Sequence, residues 1–329
     1  MGLPRRRFLH VAASVAATFA AVLFSVHGGW SQAERTIRII VAVPAGGPAD
    51  IVAHLFADQM SQAFSRAHGP MLQIDTRLLA DGTVGAENVS HAAPDGDTLL
   101  MTTNSFIINP YLRQVRYDPL ISFEPVCYLV SSPEVVLVNG ASPYHTLGGL
   151  LEAARSKPGE LTMASFGPAG SAHIAVEMLK LAANVNMRYI PFANQVLAIN
   201  ALSGDRVTSA FVAYRAVREY LKDGRLRALA TASRRRIEAL PDVPTIAESG
   251  YPDYEAEVRL WLLAPAATPK ETISRLAGWF TAAMNAPEVK SKLVAEQLYP
   301  VGMCGADAAV LLRKQYDDIG RVIRDANIK

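Results

Sequence analysis

Cysteine is scarce in this chain: Cys127 and Cys304 are the only two in 329 residues. That excludes a disulfide-built scaffold and a thiolate metal cluster, and neither cysteine has the neighbours of a redox or zinc motif. In an oxidising compartment the two can pair with each other. Equally, Cys127 in "FEPVCYLV" has the setting of a packed, buried thiol. Metal-ligand spacing is missing as well, because the seven histidines form no H-E-x-x-H or related pattern. Neither a metal nor a cofactor is expected. Low-complexity tracts are absent, and with 50% hydrophobic and 19% charged residues the composition is that of a folded globular chain.

Net charge is also small, +2 in all, and part of it is local. Arg5, Arg6 and Arg7 precede an apolar stretch over 11–26 and then Ser31-Gln32-Ala33, the layout of a cleavable export signal over 1–33 cut before Glu34. The string from Arg5 to Leu9 fits the twin-arginine export pattern, although a general export signal also carries such arginines. Sixteen apolar residues fall short of the roughly 20 that a spanning helix needs. Without the segment, 29 basic residues face 30 acidic ones, so the basic footprint of a nucleic-acid binder is missing. The expected location is extracytoplasmic, a bacterial periplasm.

What is present is a regular alternation. "TIRIIVAV", "HGPMLQIDTRL" and "DTLLMTT" read as strands, with helices over 48–64 and 83–93 between them. After "FEPVCYLVSSPEVVLVNG" the rhythm restarts. Strands at "LTMASF", "MRYIPF", "VTSAFVA" and "LRALATA" alternate with helices over 146–156, 171–183, 194–203 and 215–223. A last strand, "EVRLWLLAPA", precedes helices over 269–285, 287–297 and 306–326. Such a pattern predicts an α/β chain of two lobes, each a mainly parallel sheet flanked by helices. The expected division is 34–135 for the first lobe, 136–254 for the second, and 255–329 returning to cover the first. Crossings near 131–140 and 254–262 would leave a cleft between the lobes, beyond the carboxyl ends of the strands.

Two glycine turns stand where strand becomes helix. In "PAGGPAD", Ala45, Gly46 and Gly47 let a ligand approach the backbone, Pro48 suits the first helical position, and Asp50 complements the helix dipole. The unused N–H groups there favour an anionic oxygen. "SFGPAGSAH" repeats the arrangement in the second lobe, with Ser165, Gly167, Gly170 and Ser171, whose hydroxyl is expected to cap the following helix. His173 reads as a histidine satisfied at the helix start; with Ser171 it would be the active pair of a hydrolase, but no G-x-S-x-G elbow is present and no acid partner can be placed. Asn104 and Ser105 in "TNSFIINP", Phe192 and Asn194 in "IPFANQ", and Tyr214 in "AFVAYRAV" sit at strand ends as candidates for the cleft wall. The run Arg234-Arg235-Arg236 reads as a solvated face.

Taken as a set, "PAGGPAD", "AAPDG", "SKPGELTMASFGPAGSAH" and "LPDVPTIAESGYP" resemble the extracytoplasmic solute receptors of tripartite tricarboxylate transporters, the Bug proteins. The resemblance covers nearly the whole chain after residue 33. It implies a two-lobe periplasmic binding protein, type II-like and non-enzymatic. Such a receptor closes on a small carboxylated solute and hands it to a large and a small membrane permease subunit; a monomer is expected, because closure needs free lobes. It also implies that Ala45, Gly46 and Gly47 hold a ligand carboxylate, and that Ser165, Gly167, Gly170 and Ser171 supply backbone and hydroxyl contacts. Departures stand beside the match. His54 replaces a usual Arg, "DTRLLADGT" keeps only Gly82 of a glycine-rich stretch, with Gly85 following, and Pro191-Phe192-Ala193-Asn194 lacks a usual hydroxyl and lysine. These point to weaker preference for a second carboxylate and more room for an apolar part. A receptor that signals to a sensor instead of a transporter is the alternative.

Overall fold

A computed structural model describes residues 35–43, 47–67, 70–76, 82–167 and 170–328. The export segment, Pro44, Ala45 and Gly46 lie outside the described residues. Two sheets organise the chain. The first holds β1 (Thr36–Val41), β2 (Met71–Thr76), β3 (Thr98–Thr102), β4 (Phe123–Ser132), β10 (Val258–Pro265) and β11 (Tyr299–Cys304), in the order β11-β4-β10-β3-β1-β2. The second holds β5 (Glu134–Asn139), β6 (Thr162–Phe166), β7 (Arg188–Phe192), β8 (Ser209–Ala213) and β9 (Leu226–Thr231), in the order β7-β6-β8-β5-β9.

Both sheets are mixed, not mainly parallel. β1 pairs parallel with β2 and β3, and β6 with β7 and β8, while β10 runs antiparallel to β3 and β4, and β5 to β8 and β9. The physical cause is the crossing itself. Only Pro133 separates β4 from β5, too short for the crossover that parallel neighbours in one sheet require, so the chain passes straight from one sheet into the other. β10 then re-enters the first sheet between β3 and β4.

On one face of the first sheet lie α1 (Pro48–Ala67), α8 (Lys270–Asn285) and α9 (Pro287–Ala295), where Val52, Phe56, Phe280 and Leu293 are fully buried. α2 (Thr83–Ser90), α3 (Ser105–Leu112) and α10 (Ala306–Asp325) cover the other, through Val89, Ile107 and Leu312. The second sheet carries α4 (Leu147–Ser156) and α5 (Ser171–Ala183) on one face, and α6 (Gln195–Ser203) with α7 (Arg218–Lys222) on the other. Ile174 and Met178 of α5 pack against the α3 and α10 side of the first sheet, so the lobes touch there.

Three elements differ from the sequence reading. "TNSFIINP" is not a simple strand end: it opens α3, although Pro110 lies within that helix. The carbonyl of Phe106, which Pro110 leaves without its helical donor, accepts the Tyr117 hydroxyl at 2.9 Å. The helix expected over 215–223 splits into a 3-10 turn at Tyr214–Ala216 and the short α7. β11 carries Pro300 and Gly302 and was therefore unreadable by pattern, but as an edge strand with a register shift it tolerates both. Its last residue is bonded to β4, because Cys127 and Cys304 form a disulfide.

Candidate functional site

The second-lobe turn is built from the end of β6. Gly167 has φ +70°, which favours glycine; its N–H donates to the Phe192 carbonyl at 3.0 Å and its carbonyl accepts from the Gly170 N–H at 2.9 Å. Gly170, in extended backbone, is the N-cap of α5, and its carbonyl accepts the Ile174 N–H at 3.1 Å. Ser171 is therefore the first helical residue and not the cap that its hydroxyl suggested. The turn closes one residue earlier, because Gly170 already supplies the first helical acceptor.

Beneath that turn runs a chain of side chains. Ser165 is fully buried, with Oγ 3.1 Å from the Tyr189 hydroxyl. The Tyr189 ring is stacked on His173, centroids 3.8 Å apart and planes 4° apart. His173 Nε2 lies 3.7 Å from Glu177 Oε1, and Lys180 Nζ lies 2.8 Å from the same oxygen. Burial pushes the Glu177 carboxyl up, but the bonds from His173 and Lys180 outweigh it and hold the group below its ordinary value. His173 is thus held between the Tyr189 ring and Glu177. Phe192 is half-buried at the end of β7, while Asn194 caps α6 by accepting the Leu197 N–H at 3.0 Å. Tyr214 is buried with Val212 and Val217 in the core below the strand ends, and its burial raises the phenol.

In the first lobe, the carbonyl of Gly47 accepts the Ile51 N–H at 3.1 Å and so starts α1. Asp50 is buried in the first turn; Thr76 Oγ1 donates to its Oδ1 at 2.8 Å, and His54 Nε2 lies 3.7 Å from the same oxygen. Gly82, at φ +84°, brings the start of α2 against the Ala42 carbonyl, where any Cβ would collide. Asn104 is buried and bridges to β10: its Nδ2 donates to the Glu257 carbonyl at 2.7 Å, and its Oδ1 accepts the Arg259 N–H at 3.2 Å. Ser105 Oγ lies 3.3 Å from Thr103 Oγ1.

Asn104 and Ser171, from different lobes, line one cavity of about 120 Å³ beside the crossing. Its remaining polar wall escaped the sequence reading. Glu134, at the start of β5, is 1% exposed; its Oε1 has no hydrogen-bond partner among the described residues, and burial pushes its carboxyl up to about 8. Arg259 is 3% exposed, pairs with Glu255 and leaves Nε without a partner. Glu257 accepts from the Tyr128 hydroxyl at 3.1 Å and from Ser131. The signal was there: a single Glu inside "SSPEVVLV" and a single Arg inside "EVRLWLLAPA" interrupt apolar strands, where a charge is costly unless it has a task. Arg234 also reaches this cavity, whereas Arg236 pairs with Glu248 at 2.8 Å.

Residues 52–328 match the model of the tripartite tricarboxylate transporter family receptor. A protein encoded in the tcbD-tcbE intergenic region of Pseudomonas sp. (strain P51) is 31% identical over 261 residues, 79% of this chain and 76% of that protein. Among solved structures, a periplasmic transporter is 31% identical with a TM-score of 0.72, covering 91% of this chain and 99% of that one. Rpa4515 of R. palustris, solved with adipate, is 26% identical with a TM-score of 0.69, covering 91% and 99%. The chain belongs to the receptor family of the tripartite tricarboxylate transporters.

Proposed function

We propose that the chain is an exported receptor which closes its two lobes on a small organic acid and delivers it to the large and small permease subunits of a transporter. The observation that carries this reading is the shared cavity: Asn104 of the first lobe and Ser171 of the second face one space at the carboxyl ends of β3 and β6. The turn at Gly47 and the turn from Gly167 to Ser171 then serve as two seats for carboxylate oxygens, with first-turn N–H groups of α1 and α5 as donors. The adipate bound to Rpa4515 supports a carboxylate ligand. Closure is a hinge motion at Pro133 and at the entry to β10, with 34–135 and 255–329 moving against 136–254.

A binding role also fits the state of the would-be catalytic pair. The His173 ring face is covered by Tyr189 and its Nε2 faces Glu177, which holds the imidazole as structure. Export to an oxidising compartment agrees with the Cys127–Cys304 bond, and a monomer leaves both lobes unencumbered for closure. The test is a thermal-shift screen of the purified protein against mono-, di- and tricarboxylates, with uncharged analogues as controls. A ligand that binds only the folded state raises the melting temperature. Shifts by one carboxylate class are the expected result; shifts by uncharged compounds alone would overturn the carboxylate seats.

A further inference from the structure

The cavity beside the crossing is more acidic than a site for carboxylates alone requires. Glu134, Asp253, Glu255, Glu257 and Asp318 line it, against Arg234, Arg259 and Lys314. Arg259 is committed to Glu255, and Lys314 to Asp318 at 2.5 Å. Glu257 has the hydroxyls of Tyr128 and Ser131. Among the described residues, Glu134 has no such donor at Oε1. It is a nearly fully buried carboxyl whose Oε1 lacks any hydrogen-bond partner, and the neighbouring Tyr254 hydroxyl is turned to the Ala175 carbonyl at 2.7 Å. A buried acid without a donor is costly in either protonation state unless something fills the need.

The wall around it has the complementary pieces. Gln315 Oε1 is a second buried acceptor without a partner, and Arg259 Nε is a buried donor without one. Two acceptors and one donor, with a surplus of acid, match a group that carries N–H donors and positive charge next to an oxygen acceptor. The cavity of about 120 Å³ holds only a few heavy atoms, so it suits one end of a ligand whose carboxylate occupies a seat outside it.

We propose that the ligand of this receptor carries a protonated nitrogen as well as a carboxylate, and that Glu134, with Gln315, accepts its N–H groups in this cavity. The inference rests on the receptor reading and names its substrate class: amino-substituted carboxylates are preferred over the same acids without nitrogen. Binding then ionises Glu134. Because burial holds that carboxyl at about 8 in the empty site, a proton leaves on binding below that pH. Affinity for the amino acid of a pair should fall as pH is lowered from 8, by up to about tenfold per unit. Among the described residues that line the cavity there is no histidine to imitate this.

The test uses matched probes in calorimetry: aspartate against succinate, glutamate against glutarate, and aminobenzoate against benzoate, with wild type and Glu134→Gln. The expected result is a preference of about tenfold or more for the amino member of at least one pair, as close charge pairs give. Glu134→Gln should shrink it below about threefold and flatten its pH dependence. If a nitrogen-free acid binds as well as its amino partner, or if Glu134→Gln keeps the preference, the inference is wrong and the carboxylate receptor stands. If no member of any pair binds, the receptor reading falls with it.

Discussion

His173 lies flat against Tyr189, with ring centroids 3.8 Å apart, and Tyr189 in turn meets the buried Ser165 hydroxyl at 3.1 Å. The stack joins the first turn of α5 to β7, and so fixes the wall on which the second-lobe turn rests. Tyr189→Phe keeps the ring and removes one hydrogen bond, so ligand affinity should drop by roughly two- to tenfold, the range of about 0.5–1.5 kcal/mol for a net bond. Tyr189→Ala also removes the stack, and should weaken binding by a further factor of about 2–10. Calorimetry with any carboxylate that raises the melting temperature checks both; equal losses in the two variants would show that the ring itself contributes nothing.

Asn104 ties the end of β3 to β10 through two bonds to backbone, at 2.7 and 3.2 Å. Asn104→Ala strands the Glu257 carbonyl and the Arg259 N–H in a buried place. The expected cost is about 2–6 kcal/mol of folding stability, two unsatisfied groups at about 1–3 each. Urea unfolding measures it, and a loss under about 1 kcal/mol would mean that water replaces the side chain freely.

The contrast between Asn104 and Glu134 shows what was legible beforehand. Alternation of strands and helices gave the two α/β lobes, because buried strands and amphipathic helices carry their own periods. Turns at Gly47 and Gly167 were legible because glycine marks them. Asn104 was found as a polar residue at a strand end, but its partner is backbone 153 residues away, which no local pattern encodes. Glu134 and Arg259 were missed because each looks like one charge in an apolar strand until the crossing folds them toward a common cavity. β11 was missed for the opposite reason: Pro300 and Gly302 hide a strand that depends on β4 for its partner.

Glu134 sets a pH dependence of stability. Burial raises its carboxyl to about 8 in the folded chain, against about 4.3 when unfolded, so the folded state holds the proton more tightly. The resulting contribution is fully present below pH about 4.3 and is lost as pH rises toward 8. Glu134→Gln lacks that loss. Relative to wild type it should gain stability between pH 5 and 8, by roughly 2–5 kcal/mol at the upper end. Parallel denaturation curves at pH 5, 6, 7 and 8 decide it; a constant difference across the series would rule out a titrating Glu134.

The Cys127–Cys304 bond closes a loop across 177 residues and fastens edge strand β11 to β4, a strand of the first sheet's core. Its weight falls on the unfolded chain, whose freedom it restricts, and loops of this length are the most affected in the chain-entropy account. Replacing both cysteines by alanine should lower folding stability by about 2–5 kcal/mol, and reduction of the wild type should do the same. Ligand affinity should hardly change, within about twofold, because the ladder from β11 meets β4 and not β1, β3 or the second sheet, where the proposed seats lie. Unfolding under oxidising and reducing conditions, run with and without a bound carboxylate, separates the two effects. A large loss of affinity on reduction would instead mean that the edge strand controls how the lobes close.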